Sequence, residues 1–233
     1  MTVGIGSRIA SAILALAFAI VVVAASVVAF LNPVWVGFEQ GRSQAAAWTG
    51  YTDAQLRTAT DAILSDLVFG PPTFDVQVDG QAVLNERERS HMADVRTVFT
   101  EFALVAVVSL VVVIAGWVVL RHSSPRTFWR SIRWGSAVLA VVVVVVGAIG
   151  LFAFDAVFEV FHRLFFAGGT YTFDPRTDRL VQLFPDAFWL ETSLAVGAVI
   201  LAICVMAWLL AGRRLTSRTA FVPATVRPAE ASR

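Results

Sequence analysis

Residues 102–120 read FALVAVVSLVVVIAGWVVL, an uncharged apolar run bounded by Glu101 and Arg121. At about 1.5 Å per residue a helix of this length spans roughly 30 Å, the thickness of a bilayer's hydrocarbon core. Three further uncharged runs, 9–31, 134–154 and 192–212, have similar length. Together they predict an all-α membrane protein with four transmembrane helices. The composition agrees: 58% of the 233 residues are hydrophobic, only 15% are charged and the mean hydropathy is +0.75, beyond ordinary soluble usage. The first run is longer than the apolar core of a cleaved signal peptide and is preceded by Arg8 alone, so it reads as a retained anchor.

The net charge of +1 conceals a segregation. All eighteen basic residues are arginine. Ten of them, Arg8, Arg121, Arg126, Arg130, Arg133, Arg213, Arg214, Arg218, Arg227 and Arg233, flank the spans on one side with a single acid, Glu230. The segments on the other side carry eight arginines and sixteen acids. By the positive-inside rule the arginine-rich side is cytoplasmic, which puts both termini in the cytoplasm and two loops outside. The expected organisation is a first span at 1–31, an extracytoplasmic cap at 32–100, three spans within 101–212 interrupted by a second outer loop at 155–191, and a disordered cytoplasmic tail at 213–233.

The cap has enough pattern for an α+β structure of its own. Trp35 and Phe38 suit the membrane interface. Thr52 or Asp53 can cap a helix whose Leu56, Ile63, Leu64 and Leu67 form one stripe, ending at Gly70-Pro71-Pro72. Phe74, Val76 and Val78 alternate with polar residues before Asp79-Gly80, the signature of a short hairpin. Asn85 followed by Glu88 is a capping box, so a helix starts at Glu86 and continues into the second span. In the second loop the third helix is expected to continue to Phe166 and end at Gly168-Gly169. A second hairpin is expected from 171–173 and 180–184 about Asp174-Pro175-Arg176, and Pro185 opens the last helix.

Two histidines stand outside the membrane, His91 and His162, each near a helix end and flanked by carboxylates. Asp155, Glu159 and His162 share one helix face by their spacing, as do Arg87, His91 and Asp94. A neutral imidazole with a carboxylate nearby can exchange protons near pH 7, the requirement of acyl transfer. The bland alternative is a set of polar side chains snorkelling at the interface. His122 beside Arg121 reads as part of the basic flank. The chain lacks HExxH and any histidine pair at metal-ligand spacing, has no GxSxG, P-loop or dinucleotide fingerprint, and its one cysteine, Cys204, lies in an apolar run.

The run Glu88-Arg89-Ser90-His91-Met92-Ala93-Asp94-Val95, the later Phe161-His162-Arg163-Leu164-Phe165-Phe166, the Phe173-Asp174-Pro175-Arg176-Thr177-Asp178 turn and Leu183-Phe184-Pro185 together resemble the bacterial lipoprotein intramolecular transacylase family. That resemblance covers most of the chain from the outer hairpin through the fourth span. It implies transfer of an acyl chain from the glyceryl group of a lipoprotein's N-terminal cysteine to that cysteine's amine, with no cofactor, no metal and no nucleic acid. The implied partners are lipidated lipoprotein N-termini and membrane lipids. The family's catalytic pair matches His91 and His162. Asp94 or Glu159 is then placed to orient a histidine, and Tyr171 to donate a hydrogen bond. The alternative is a non-catalytic envelope protein that binds lipoproteins or a partner membrane protein through its cap.

Overall fold

Apolar helices cross a bilayer because each satisfies its own backbone N–H and C=O groups where no water can. The computed structural model describes residues 5–166, 168 and 170–216, and in it the four runs lie on four long helices: α1 (Ile5–Phe30), α5 (Glu86–Ser123), α6 (Pro125–Phe152) and α9 (Asp186–Thr216). Between α1 and α5 come α2 (Pro33–Arg42), α3 (Ala45–Thr49), α4 (Asp53–Val68) and the two-residue strands β1 (Gln77–Val78) and β2 (Gln81–Ala82). Between α6 and α9 come α7 (Phe154–Phe165) and α8 (Arg179–Leu183). The chain is thus an all-α, multi-pass membrane protein whose short elements gather into a cap at one end.

In the bundle α6 packs chiefly on α9 and α1, and α1 also lies against α5. Small residues set these crossings. A Cβ on Gly135 would meet the Ala15 carbonyl oxygen at 2.7 Å, so α6 approaches α1 backbone to backbone. Val22, Leu139, Ile200 and Cys204 fill the middle of the bundle. Val107, Val119 and Val141 stay exposed on its outside, as suits a surface bathed in lipid.

The cap has a separate core in which Ile63, Phe74 and Leu183 are fully buried, joining elements from both loops. Local chemistry places its pieces. Thr52 and Gln55 form a capping box at the start of α4, and Asn85 and Glu88 form another at the start of α5. β1 and β2 pair antiparallel about Asp79 and Gly80, both with positive φ as a tight two-residue turn requires. Arg96 on α5 donates to the carbonyls of Asp66 and Gly70, closing the end of α4.

One stretch given no elements from the sequence is structured, and three expectations need correction. Residues 32–50 are largely helical: Asn32 accepts the Trp35 N–H as N-cap and Pro33 takes the first helical position of α2, an arrangement suited to a missing N–H. Trp35 itself donates to the Thr192 hydroxyl on α9, while Phe38 stays exposed. The third helix is interrupted at Ala153 (φ −145, ψ 49), which makes α7 a separate helix. No second hairpin forms, because Leu180, Leu183 and Phe184, spaced for one helix face, are buried together as α8 and its C-cap. Residues 213–216 of the expected disordered tail are helical as the end of α9, while the residues from 217 on and Gly169 lie outside the described residues.

Candidate active site

α5 is 38 residues long, about 57 Å at helical rise, far more than a bilayer needs. Its charged first third projects into the cap, and His91 lies on that part, roughly 16 Å beyond the first residue of the apolar run. His162 sits near the end of α7, and the break at Ala153 re-aims that helix under the cap. The two imidazoles stack with centroids 6.1 Å apart and planes 24° apart. Both are buried, at 6% and 7% exposure.

Aromatic rings complete the enclosure. Phe166 and Phe173 meet His91 at 4.9 and 5.4 Å, and Phe158 and Tyr171 meet His162 at 4.2 and 4.9 Å. His162 Nδ1 lies 2.7 Å from the Phe158 carbonyl oxygen. A carbonyl only accepts, so Nδ1 carries the proton, and in the neutral ring the Nε2 lone pair is free. His91 Nδ1 has no hydrogen-bond partner among the described residues. Burial, and then the neighbouring His162, push the His91 imidazole down to about 4, with Asp94 opposing. His91 is therefore neutral at physiological pH.

The supporting residues divide. Asp94 forms no hydrogen bond to His91 and acts on it through charge. Glu159 pairs with Arg163 at 2.7 Å and accepts from the Tyr171 hydroxyl at 3.3 Å, so the Phe158 carbonyl, and no carboxylate, orients His162. Tyr171 presents its ring to His162 and its hydroxyl to Glu159. Asp155 is exposed, and His122 lies at the arginine-rich end of α5. Among the described residues no three His, Cys, Asp or Glu side chains converge.

Sequence reasoning passed over the phenylalanines and the anchors of the loop that covers the site. Phe158 lies one turn before His162 on the same helix face, and Phe166 caps that helix four residues after it, a spacing legible in the sequence. Glu88, 1% exposed, accepts the N–H of Asn85 at 2.7 Å and that of Leu180 at 2.6 Å. Burial holds its carboxyl above the ordinary range, although both backbone bonds pull it down.

A model of the family described as lipoprotein intramolecular transacylase Lit matches residues 10–189, a span that includes both histidines and their enclosure. By fold and family the protein is a membrane-integral acyltransferase. The chain belongs to the lipoprotein intramolecular transacylase family. Its fold is similar to that of the membrane integral lipoprotein intramolecular transacylase Lit from Bacillus cereus, with a TM-score of 0.77 at 20% identity over 91% of this chain and 97% of that one. Two forms of the Bacillus protein with a histidine replaced by arginine or alanine match with TM-scores of 0.75 at 18% identity, again over 91% of this chain. No curated protein matches the chain.

Proposed function

We propose that the chain moves one acyl group from a glyceryl oxygen of a lipoprotein's diacylglyceryl-cysteine N-terminus to the α-amine of that cysteine, giving the lyso form, with His91 and His162 as the catalytic pair. The observation that carries the assignment is the facing arrangement of two buried imidazoles 6.1 Å apart, of which one has a defined tautomer.

That tautomer suggests a division of labour. A terminal amine has a pKa of about 7.7–8.0, so a share of it is already neutral near pH 7, and only the proton it sheds on attack needs a base. His162, with Nδ1–H fixed on a carbonyl, offers Nε2 as that base. The neutral amine attacks the ester carbonyl as its proton passes to His162 Nε2, and the resulting oxyanion takes a hydrogen bond from an N–H of neutral His91. Collapse breaks the C–O bond to the glyceryl oxygen, which takes the proton held by His162. One amide C–N bond forms, one ester C–O bond breaks, and the proton passes from nitrogen to oxygen. A ring with its pKa near 4 suits the donor better than the base. Both reacting groups belong to one substrate molecule, so confinement supplies much of the rate. The surrounding aromatic rings keep out water that would hydrolyse the ester. Asp94, Glu159 and Tyr171 are supporting groups that set local charge and pack the rings.

The same reading places the cap and site at the outer leaflet and both termini in the cytoplasm. Supporting it, Arg121, Arg133 and Arg214 lie over Trp117, Trp208 and Trp129 at the opposite end of the bundle, pairs suited to a headgroup region. The test is mass spectrometry of a lipoprotein N-terminal peptide from cells lacking other N-acylating enzymes. Expression of this chain should shift one acyl group from glycerol to the amine, and His91→Ala and His162→Ala should each abolish the shift. Unaltered diacylglyceryl peptide from well-expressed wild type would favour the binding-protein alternative.

A further inference from the structure

The segment that covers the histidine pair is held down by one carboxylate. Asp178 is 5% exposed and accepts three donors: Asn85 Nδ2 at 3.0 Å, an Arg87 guanidinium nitrogen at 2.7 Å and the backbone N–H of Asp174 at 2.8 Å. Asn85 caps the helix that carries His91, and Arg87 lies on its first turn. Asp174 follows Phe173 directly. Asp178 therefore bridges the start of α5 and the 171–178 segment. Arg87, drawn in by the ion pair, lies over the Phe173 ring at 5.2 Å, and that ring meets His91 edge-on at 5.4 Å. Two residues earlier, Tyr171 packs on His162, so a single stretch of chain covers both imidazoles.

We propose that Asp178 is a positioning residue of the transacylation: it touches neither histidine, and by pinning the 171–178 segment to the first turn of α5 it seats Phe173 and Tyr171 over the pair and keeps water from His91. This rests on the acyl-transfer reading above.

Groups facing His91 give the proposal a directional test. They are His162 from α7 and Asp94 from its own helix, while Arg87, paired with Asp178, lies on the Phe173 ring that meets His91, and Glu88 is turned to the Asn85 and Leu180 N–H groups. Deleting the Asp178 charge with no other change would leave the His91 imidazolium no easier to form, so His91 would stay where it is or move further down. Releasing the segment would admit water and relieve burial, the largest cause of the low value, moving His91 up.

The experiment uses the full chain in lipid bicelles, with NMR titration of the His91 ring and kinetics on a synthetic diacylglyceryl-cysteine lipopeptide. Asp178→Asn is expected to lower kcat on the order of ten- to a hundred-fold with KM less affected. His91 should move upward from about 4 toward its ordinary 6.5, and Asp178→Glu should recover most of both. Arg87→Gln, which removes a half-exposed guanidinium, gives the same pair of changes should the Asn variant fold poorly. Arg176→Ala breaks an exposed ion pair in the same turn without touching Asp178, and is expected to match wild type in both readouts. Wild-type kcat in Asp178→Asn and Arg87→Gln would overturn the proposal, as would lost activity with His91 titrating unmoved or lower. The titration needs no turnover, so a wild type that leaves the lipopeptide unchanged sinks the acyl-transfer reading while the titration alone judges the clamp.

Discussion

The backbone N–H of Leu180 donates to Oε1 of Glu88 at 2.6 Å, fastening the first turn of α8 to the first turn of α5. The same carboxylate takes the Asn85 N–H at 2.7 Å, so two donors converge on two acceptor oxygens inside the cap. An amide at this position would keep one acceptor and set its NH2 against the second N–H. Glu88→Gln is therefore expected to destabilise the protein by about 1–3 kcal/mol, read as a lower Tm in detergent. An unchanged Tm would mean that this junction contributes nothing.

His91 makes stability depend on pH in a defined direction. The unfolded chain takes up this proton near 6.5, whereas the folded site resists it until about 4. The contribution is full above pH 6.5 and is lost as pH falls toward 4, by up to about 3 kcal/mol. Unfolding midpoints should fall between pH 7 and pH 4.5 in wild type and fall less in His91→Phe. Parallel slopes in the two proteins would contradict the low pKa of His91.

Gly135 sits where α6 meets the backbone of α1, and an added Cβ would lie 2.7 Å from the Ala15 carbonyl oxygen. Gly147, on the same helix, has nothing within 4 Å of the corresponding position. Gly135→Val should cost about 1–3 kcal/mol through forced separation of the helices, and Gly147→Ala should leave thermal stability in detergent close to wild type. Equal effects at the two sites would refute the close crossing.

Orientation can be read chemically. Arg57 is exposed on α4 in the cap, Ser124 is exposed between α5 and α6, and the native Cys204 is buried. In intact cells a membrane-impermeant maleimide should label Arg57→Cys and spare Ser124→Cys until the membrane is opened. Labelling in the reverse order would invert the topology.

The features legible in the sequence are those decided locally. Hydrocarbon thickness fixes the length of a span, so the four long helices follow from uncharged runs alone. A cap at Thr52 or Asp53, Asn85 with Glu88 and the Asp79-Gly80 turn satisfy backbone groups within a few residues, and each is present in the structure, the first at Thr52 with Gln55 as its partner. Asn32-Pro33 carries an equally local start signal for α2. The break at Ala153 has no such mark, since no proline or glycine occupies it. The expected second hairpin gave way to α8 because the hydrophobic residues of 180–184 suit a helix face as well as an alternating strand, and the cap core decides between them.

The candidate site was legible in part. His91 and His162 stood out as the histidines flanked by carboxylates, but nothing in their spacing brings the rings into contact. That requires the interruption before α7 and the folding of one loop's core against the other. The expectation that a carboxylate orients a histidine failed for Glu159 because Arg163, one turn further on, claims it.

α5 runs without interruption from the cap through the bilayer, and this makes the valine- and alanine-rich span part of the site's alignment. Each residue turns a helix by about 100° and advances it by about 1.5 Å. Removing one apolar residue from the span would leave its hydropathy nearly unchanged, yet it would swing His91 a quarter of a turn or more relative to the membrane-facing contacts of the same helix. The number of residues in the span, and not only their oiliness, thus acts as a phase setting for the chemistry above it.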